Sequence, residues 1–455
     1  MQIVVIGNGS LGDSLIEFIS REGHNITVID EDADVVNAVV NKYDVFGVTG
    51  NGATVEIQQD ADVPNADVVI SVAASDELNL LCCMIAKQLG AKHTIARVRD
   101  PIYLNQKTFM CNNLGIDMIV NPEYEAAAEA ARLIRFPAAM KIEKFAQGQV
   151  GVVEIHIGKD HPFVGLPLIN FKSKYSTNAL ICAAKRGDDV IIPGRDYVIS
   201  EGDSISIAAS QRDITELFVR IGLLGKQIKD VMIVGGGSIS RYLAAQLIEG
   251  RFNVKMIEQD EEICEELAEL FPKATVICGD ATDPDLLDDE GIESTDACVA
   301  MTVNDQKNFI ISMFAKTREV KKIISKISSQ TFVKLSTNAG IDSNITPQVL
   351  TASKVLRYIR GLVNRGEDGN LSQIKSLHKL VGGRVEALEF DVASDFEAKG
   401  MPLRSIRLKG SILIAALIRE NEVIYPNGET TLNEGDSVIV MTTNEHLYDL
   451  GDILL

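Results

Sequence analysis

An unbroken apolar run at residues 3–6 gives way at Gly7 to a stretch in which Leu15 and Ile19 fall on one helical face. A short apolar run followed by 3.6-residue periodicity predicts a buried strand leading into an amphipathic helix. The next apolar run ends in an acid, Val28-Ile29-Asp30. The whole pattern then returns: residues 231–242 repeat the order of residues 3–14, and Met256-Ile257-Glu258 stands where the first copy has Val28-Ile29-Asp30. Thr49-Gly50-Asn51-Gly52 pairs with Cys278-Gly279-Asp280-Ala281, and Ser75-Asp76-Glu77-Leu78-Asn79 with Asn304-Asp305-Gln306-Lys307-Asn308. Repetition at this scale predicts one strand-helix domain present twice.

After each copy the periodicity changes from helical to short alternating strands, as in Val152-Val153-Glu154-Ile155-His156-Ile157. This second module is duplicated too. Gly165-Leu166-Pro167-Leu168 recurs as Gly400-Met401-Pro402-Leu403, and Glu201-Gly202-Asp203-Ser204 recurs unchanged as Glu434-Gly435-Asp436-Ser437. The expected fold is α/β, with two Rossmann-like domains alternating with two small α+β domains in the order N1-C1-N2-C2. Proline after Phe136, the Gly-rich residues 221–225 and the polar residues 364–373 place the boundaries. The expected domains are 1–136, 137–222, 223–363 and 364–455, with residues 364–373 as a flexible connector.

The chain has 455 residues, too many for one core, and its 46% hydrophobic content is that of a packed globular protein. A net charge of -20 opposes binding to nucleic acid or an anionic membrane surface. Seven cysteines without CxxC spacing fit a reducing cytoplasm. The strand-like start gives no reason to expect a secretory leader, and no apolar run reaches the length of a membrane helix.

Gly7-Asn8-Gly9-Ser10-Leu11-Gly12 lies between the first strand and helix, with Asp30 about twenty residues on, the context of a dinucleotide site. Gly7 permits the tight turn, Gly9 lets a pyrophosphate approach the backbone, and Gly12 lets helix and strand pack closely. Asp30 suits a ribose and disfavours a 2′-phosphate, which favours NAD(H) over NADP(H). Asn51, Ala73 and Ala74 occupy the adjoining strand-to-helix loops. Ser75 and Asp76 read equally as ordinary helix caps. Arg97 and Arg99 end a strand and are candidates for phosphate contact or for solvated surface charge. The second half has Gly235-Gly236-Gly237-Ser238-Ile239-Ser240, Glu258 and Lys326-Ile327-Ser328 at the matching places. Six scattered histidines make no acid-base constellation, and no zinc or calcium spacing is present. An NAD-dependent oxidoreductase would therefore lack a proton donor, and no enzyme activity is expected.

These residues, with Ala74 to Asn79, Ile95-Ala96-Arg97-Val98-Arg99 and the twin Glu-Gly-Asp-Ser turns, make the whole chain resemble the TrkA family, the regulatory subunits of bacterial Trk potassium uptake systems with tandem RCK domains. The resemblance implies a ring-like homotetramer on the cytoplasmic side of a membrane potassium transporter, gated by bound nucleotide. It also implies NAD(H) at the first site, with ATP or ADP competing there, and a second dinucleotide in the other half. Carried over by position, the contacts are Gly7, Asn8, Gly9, Ser10, Leu11, Asp30, Ala73, Ala74 and Arg97, then Gly235, Gly236, Gly237, Ser238, Ile239 and Glu258. Ser240 and Ala73 depart from the family pattern.

Overall fold

The computed structural model describes residues 1–455 except 138, 140, 223–227, 342, 364–373, 382–383 and 444–446. The expected connector at 364–373 lies outside the described residues, as does most of the Gly-rich boundary at 221–225.

Strands β1 (Gln2–Ile6), β2 (Asn25–Asp30), β3 (Phe46–Thr49), β4 (Val68–Ser71), β5 (His93–Arg97) and β6 (Met118–Val120) form a parallel sheet of order β3-β2-β1-β4-β5-β6. That is the dinucleotide-fold order, with its switch point between β1 and β4. The apolar runs are continuous because helices cover both faces: Ile3, Val4, Val5, Val68, Val69 and Ile70 are all fully buried. The small antiparallel sheet that follows has β7 (Lys141–Phe145), β8 (Val150–His156), β9 (Leu180–Arg186), β10 (Asp189–Ile191) and β11 (Ser204–Ser210), ordered β10-β9-β11-β8-β7.

The second half repeats both sheets. Strands β12 (Asp230–Val234), β13 (Asn253–Glu258), β14 (Thr275–Cys278), β15 (Ala297–Ala300), β16 (Lys322–Lys326) and β17 (Ser343–Ile345) take the order β14-β13-β12-β15-β16-β17. Strands β18 (Ile374–Leu380), β19 (Val385–Asp391), β20 (Ile412–Arg419), β21 (Glu422–Ile424) and β22 (Ser437–Thr442) give β18-β19-β22-β20-β21.

Alternation in the small domains suggests one wet face, but both faces are largely covered. Val152, Cys182 and Ala208 of the first small sheet share a core with Ala387, Ala416 and Ile439 of the second. The opposite face of the first sheet, with Val153 and Ile155, packs on Phe163 and Phe171. Two carboxylates bond reciprocally across the junction. Glu389 accepts the Ala146 N–H at 3.0 Å, and Glu154 accepts the Val381 N–H at 3.3 Å.

The halves also exchange helices. Helix Pro122–Arg135, capped by Asn121 and started by Pro122, turns Ala126, Ala127, Ala130 and Ala131 inward. Small side chains permit close approach, and their partner is the second half: they share a core with Leu243, Ala244 and Met256. Helix Pro347–Val363 reciprocates, placing Ala352, Val355 and Ile359 among Leu15, Ile19 and Val28. Each Rossmann sheet is therefore covered by a helix from the other half.

Candidate functional site

Both Gly-rich turns are built as the spacing requires. Gly7 has φ +90°, and a Cβ there would stand 2.8 Å from the Ala73 backbone. Gly235 has φ +104° and presses on Met301 and Thr302. At Gly12 a Cβ would lie 2.3 Å from the Gly7 carbonyl oxygen, so the helix can start this close to the strand only without a side chain. Gly9 and Gly237 face open space, with no atom within 4 Å of a Cβ position. Each is the N-cap of the following helix, Ser10–Ser20 or Ser238–Glu249, and neither helix receives a side-chain cap. Other helices in the same sheets are capped by Asp32, Ser75, Asn121, Asp260 and Asn304. Helix Gln330–Asn338 also starts without a side-chain cap, but at Gly9 and Gly237 the missing Cβ leaves open space beside the first-turn N–H groups as well, an arrangement suited to a phosphate anion.

Asp30 and Glu258 reach back to their own turns. Asp30 accepts the Asn8 N–H at 2.7 Å through Oδ2 and the Asp32 N–H at 3.1 Å through Oδ1. Glu258, one methylene longer, accepts from Gly236 at 2.5 Å and from Gln259 and Asp260 at 2.7 and 3.1 Å. The carboxylates thus stiffen the turns and keep lone pairs for a ribose. Glycine at 236 has a steric reason, because a Cβ would meet Ile263 at 2.6 Å and Leu267 at 2.9 Å. The first half has Asn8 instead, whose Oδ1 is buried without a hydrogen-bond partner.

Asn51 sits at the end of β3, where its Oδ1 accepts the Ala53 N–H at 2.8 Å. Ser75 does cap its helix, accepting the Leu78 N–H at 3.1 Å. Ala73 is held by a residue to which the sequence assigned no role. Fully buried Asn79 accepts the Ala73 N–H at 2.6 Å and donates to the Ala73 and Arg97 carbonyls at 3.2 and 3.0 Å. Asn308 does the same for Thr302 and Lys326. Its recurrence in the repeat was the one available signal.

The arginines are more engaged than a solvated surface reading allows. Arg97 pairs with Glu123 at 3.2 Å, leaving its Nε and the Glu123 Oε2 buried without hydrogen bonds. Arg99 binds Asp76 at 3.3 Å and the Ala74 carbonyl. Its own carbonyl accepts from Tyr242 at 2.8 Å, tying the end of β5 to the second half. Lys326 donates to the Thr302 carbonyl at 3.0 Å, and burial holds its ammonium pKa below the usual lysine range against Asp305 and Glu123. Arg97 and Lys326 thus make different hydrogen bonds while both feel the Glu123 charge.

A cleft of about 670 Å³ lies elsewhere, where the exchanged helices cross, lined by Arg132, Lys354, Arg357, Glu143 and His378 among others. Among the described residues no helix is long and apolar enough to cross a membrane, and no cluster of three metal-ligating side chains occurs.

The TrkA-N domain family matches residues 3–122 and 231–347, and the TrkA-C domain family matches 152–222 and 387–455. The chain belongs to the TrkA family. It is 30% identical over 454 residues to the Trk system potassium uptake protein TrkA homolog of Archaeoglobus fulgidus, covering all of both chains. It is 32% identical over 465 residues to the Trk system potassium uptake protein TrkA of Halomonas elongata, covering 99% of each. A solved structure, the GsuK channel bound to NAD, shares the fold at a TM-score of 0.63 and 18% identity, over 98% of this chain and 77% of that one. Family membership makes the chain a component of potassium uptake built from tandem RCK domains, a regulatory protein and not an oxidoreductase.

Proposed function

We propose that this TrkA-family chain is the nucleotide-sensing subunit of a Trk-type membrane potassium transporter, working as a homotetramer on the cytoplasmic face of the membrane. Its domains would be 1–136, 137–222, 223–363 and 364–455. The carrying observation is the pair of uncapped helix starts over Gly9 and Gly237, each backed by an acid at the end of the next strand. NAD(H) fits both: the pyrophosphate over Gly7 to Leu11 or Gly235 to Ile239, a ribose on Asp30 or Glu258, with Asn51, Ala73 and Ala74 bordering the first. ATP or ADP competes at the first site, where Arg97 supplies a guanidinium for the further phosphate.

The exchanged helices supply the coupling. Each Gly-turn helix packs against a helix from the other half, so nucleotides that favour different settings of one turn bias the angle between the halves. Potassium flux through transporter and subunit reconstituted in vesicles, with ATP, ADP, NAD+ and NADH added in turn, tests the gating; flux indifferent to all four rejects it. For the site itself, Arg97→Ala is expected to weaken ATP binding about tenfold, the loss of roughly one charged hydrogen bond, while Lys326→Ala changes it less than about twofold. Equal losses would refute the assignment of phosphate sensing to the first half.

A further inference from the structure

The second candidate nucleotide site contains two thiols that the first lacks. Cys278 ends β14 in parallel register with Glu258, and it is exposed, unlike every other cysteine among the described residues. Cys264, in the first turns of helix Glu261–Leu270, is buried, and its thiol donates to the Glu258 carbonyl at 3.3 Å. Cys278 is also the neighbour that, after burial, acts most on the Cys264 thiol. Glu258 thus has Cys278 beside it on the neighbouring strand and the Cys264 thiol on its carbonyl, while its carboxylate closes the Gly turn through Gly236. In the first half, equivalent positions are held by Val36, 5% exposed, and Thr49, in register with Asp30.

We propose that Cys264 and Cys278 are a redox-closable dithiol at the ribose end of the second nucleotide site, oxidised by a small disulfide of the glutathione type. The chemistry is thiol-disulfide exchange. The exposed Cys278 loses its proton to solvent, and its thiolate attacks one sulfur of the small disulfide. A mixed disulfide forms at Cys278, and one small thiolate leaves and takes up a proton. Cys264 then loses its proton and attacks the Cys278 sulfur, forming the Cys264–Cys278 bond and expelling the second small thiol. Two protein thiols are oxidised by two electrons, and one small disulfide is reduced to two thiols. A cytosolic disulfide of this kind is expected to be transient and regulatory, not structural.

The order of the steps follows from exposure. Burial, then the neighbouring Cys278, pushes the Cys264 thiol up to about 12. Because only thiolate attacks, the mixed disulfide accumulates near neutral pH, and closure speeds up roughly tenfold per pH unit on the alkaline side. Closure removes the donor from the Glu258 carbonyl and draws the end of β14 toward helix Glu261–Leu270. Resting on the nucleotide reading above, the expected consequence is about tenfold weaker NADH binding at the second site, with the first unchanged.

The test uses the full chain, oxidised glutathione at about pH 7 and about pH 9, intact mass, and peptide mapping. Wild type is expected to yield a linked Cys264–Cys278 peptide, faster at the higher pH. Cys264→Ser and Cys264→Ala should stop at a mixed disulfide on Cys278, and Cys278→Ser should leave Cys264 unmodified. Absence of the linked peptide, or the same end product from wild type and Cys264→Ser, overturns the proposal. NADH titrations of reduced and oxidised protein separate its two parts. Closure without a change in affinity overturns the link to the nucleotide, whereas no NADH binding by reduced protein overturns the function proposed above and leaves the mass result to decide the dithiol.

Discussion

The first and second halves share strand order, Gly turns, loop-pinning asparagines and reciprocal carboxylates, yet corresponding side chains do different work. Arg135 and Arg360 stand at the same place in the two exchanged helices, but Arg135 is exposed while Arg360 is 1% exposed between Glu22 and Glu386. Gly12 became Ser240, and His161 in the first small domain stands where the second has buried Phe396. The backbone repeats because the apolar pattern repeats. Polar positions were free to diverge wherever the exchanged helices and paired small sheets gave them different neighbours.

Replacing the twin arginines probes that difference hardest. Arg360 donates to Glu22 at 2.8 Å and to Glu386 at 2.8 and 3.0 Å, joining the first Rossmann domain to the second small domain. Burial raises the Glu386 pKa despite the opposing pull of Arg360 and, less strongly, Lys379. Arg360→Ala removes the hydrogen-bonded cation from two buried carboxylates, leaving Glu386 only Lys379 at 3.8 Å, and is expected to cost about 3–5 kcal/mol, against less than about 0.5 kcal/mol for exposed Arg135→Ala. Urea denaturation of both variants measures it; similar losses would mean that the triad does not lock the halves.

A smaller effect separates the Gly turns. Adding a methyl at Gly12 drives it against the Gly7 carbonyl, so Gly12→Ala is expected to cost about 1–3 kcal/mol and to weaken NADH at the first site. The second half already carries a side chain there. Ser240 is fully buried and its hydroxyl has no hydrogen-bond partner, so Ser240→Ala should be neutral or stabilise by about 1 kcal/mol. Calorimetry with thermal unfolding compares the two; a destabilised Ser240→Ala would show that the hydroxyl has a role its surroundings do not reveal.

These contrasts mark what the sequence could carry. Gly7 and Gly12 were legible because each answers a local steric demand, and the duplication was legible because motifs recur in fixed order. Helix exchange was not. The alanine stripe at 126, 127, 130 and 131 states which face is buried but not against which half. Nor could the sequence pair Arg97 with Glu123 or Arg360 with Glu22, since charges far apart along the chain meet only through the fold. Nor does the alternation of the small-domain strands report a second sheet lying on them.

The smallest predicted effect concerns pH and the small domains. His161 is lowered to about 4, first by burial and then by His156, and its Nδ1 accepts the Phe163 N–H at 3.2 Å while its Nε2 is buried without a partner. Protonation would end that acceptance and place a charge beside the Phe163 ring, whose centroid lies 4.7 Å away. Because the folded pKa lies below the unfolded value of about 6.5, His161 contributes stability above that pH and loses it as pH falls toward 4. Partial solvent access reduces the effect to about 1 kcal/mol. His161→Phe copies the second half, and the expected outcome is that wild type loses about 1 kcal/mol more than the variant between roughly pH 7.5 and pH 5. Asp and Glu titrate mainly below this window, and His24, also lowered by burial, is common to both proteins and cancels. Parallel pH curves for the two proteins would therefore remove His161 as the source of the difference between the small domains.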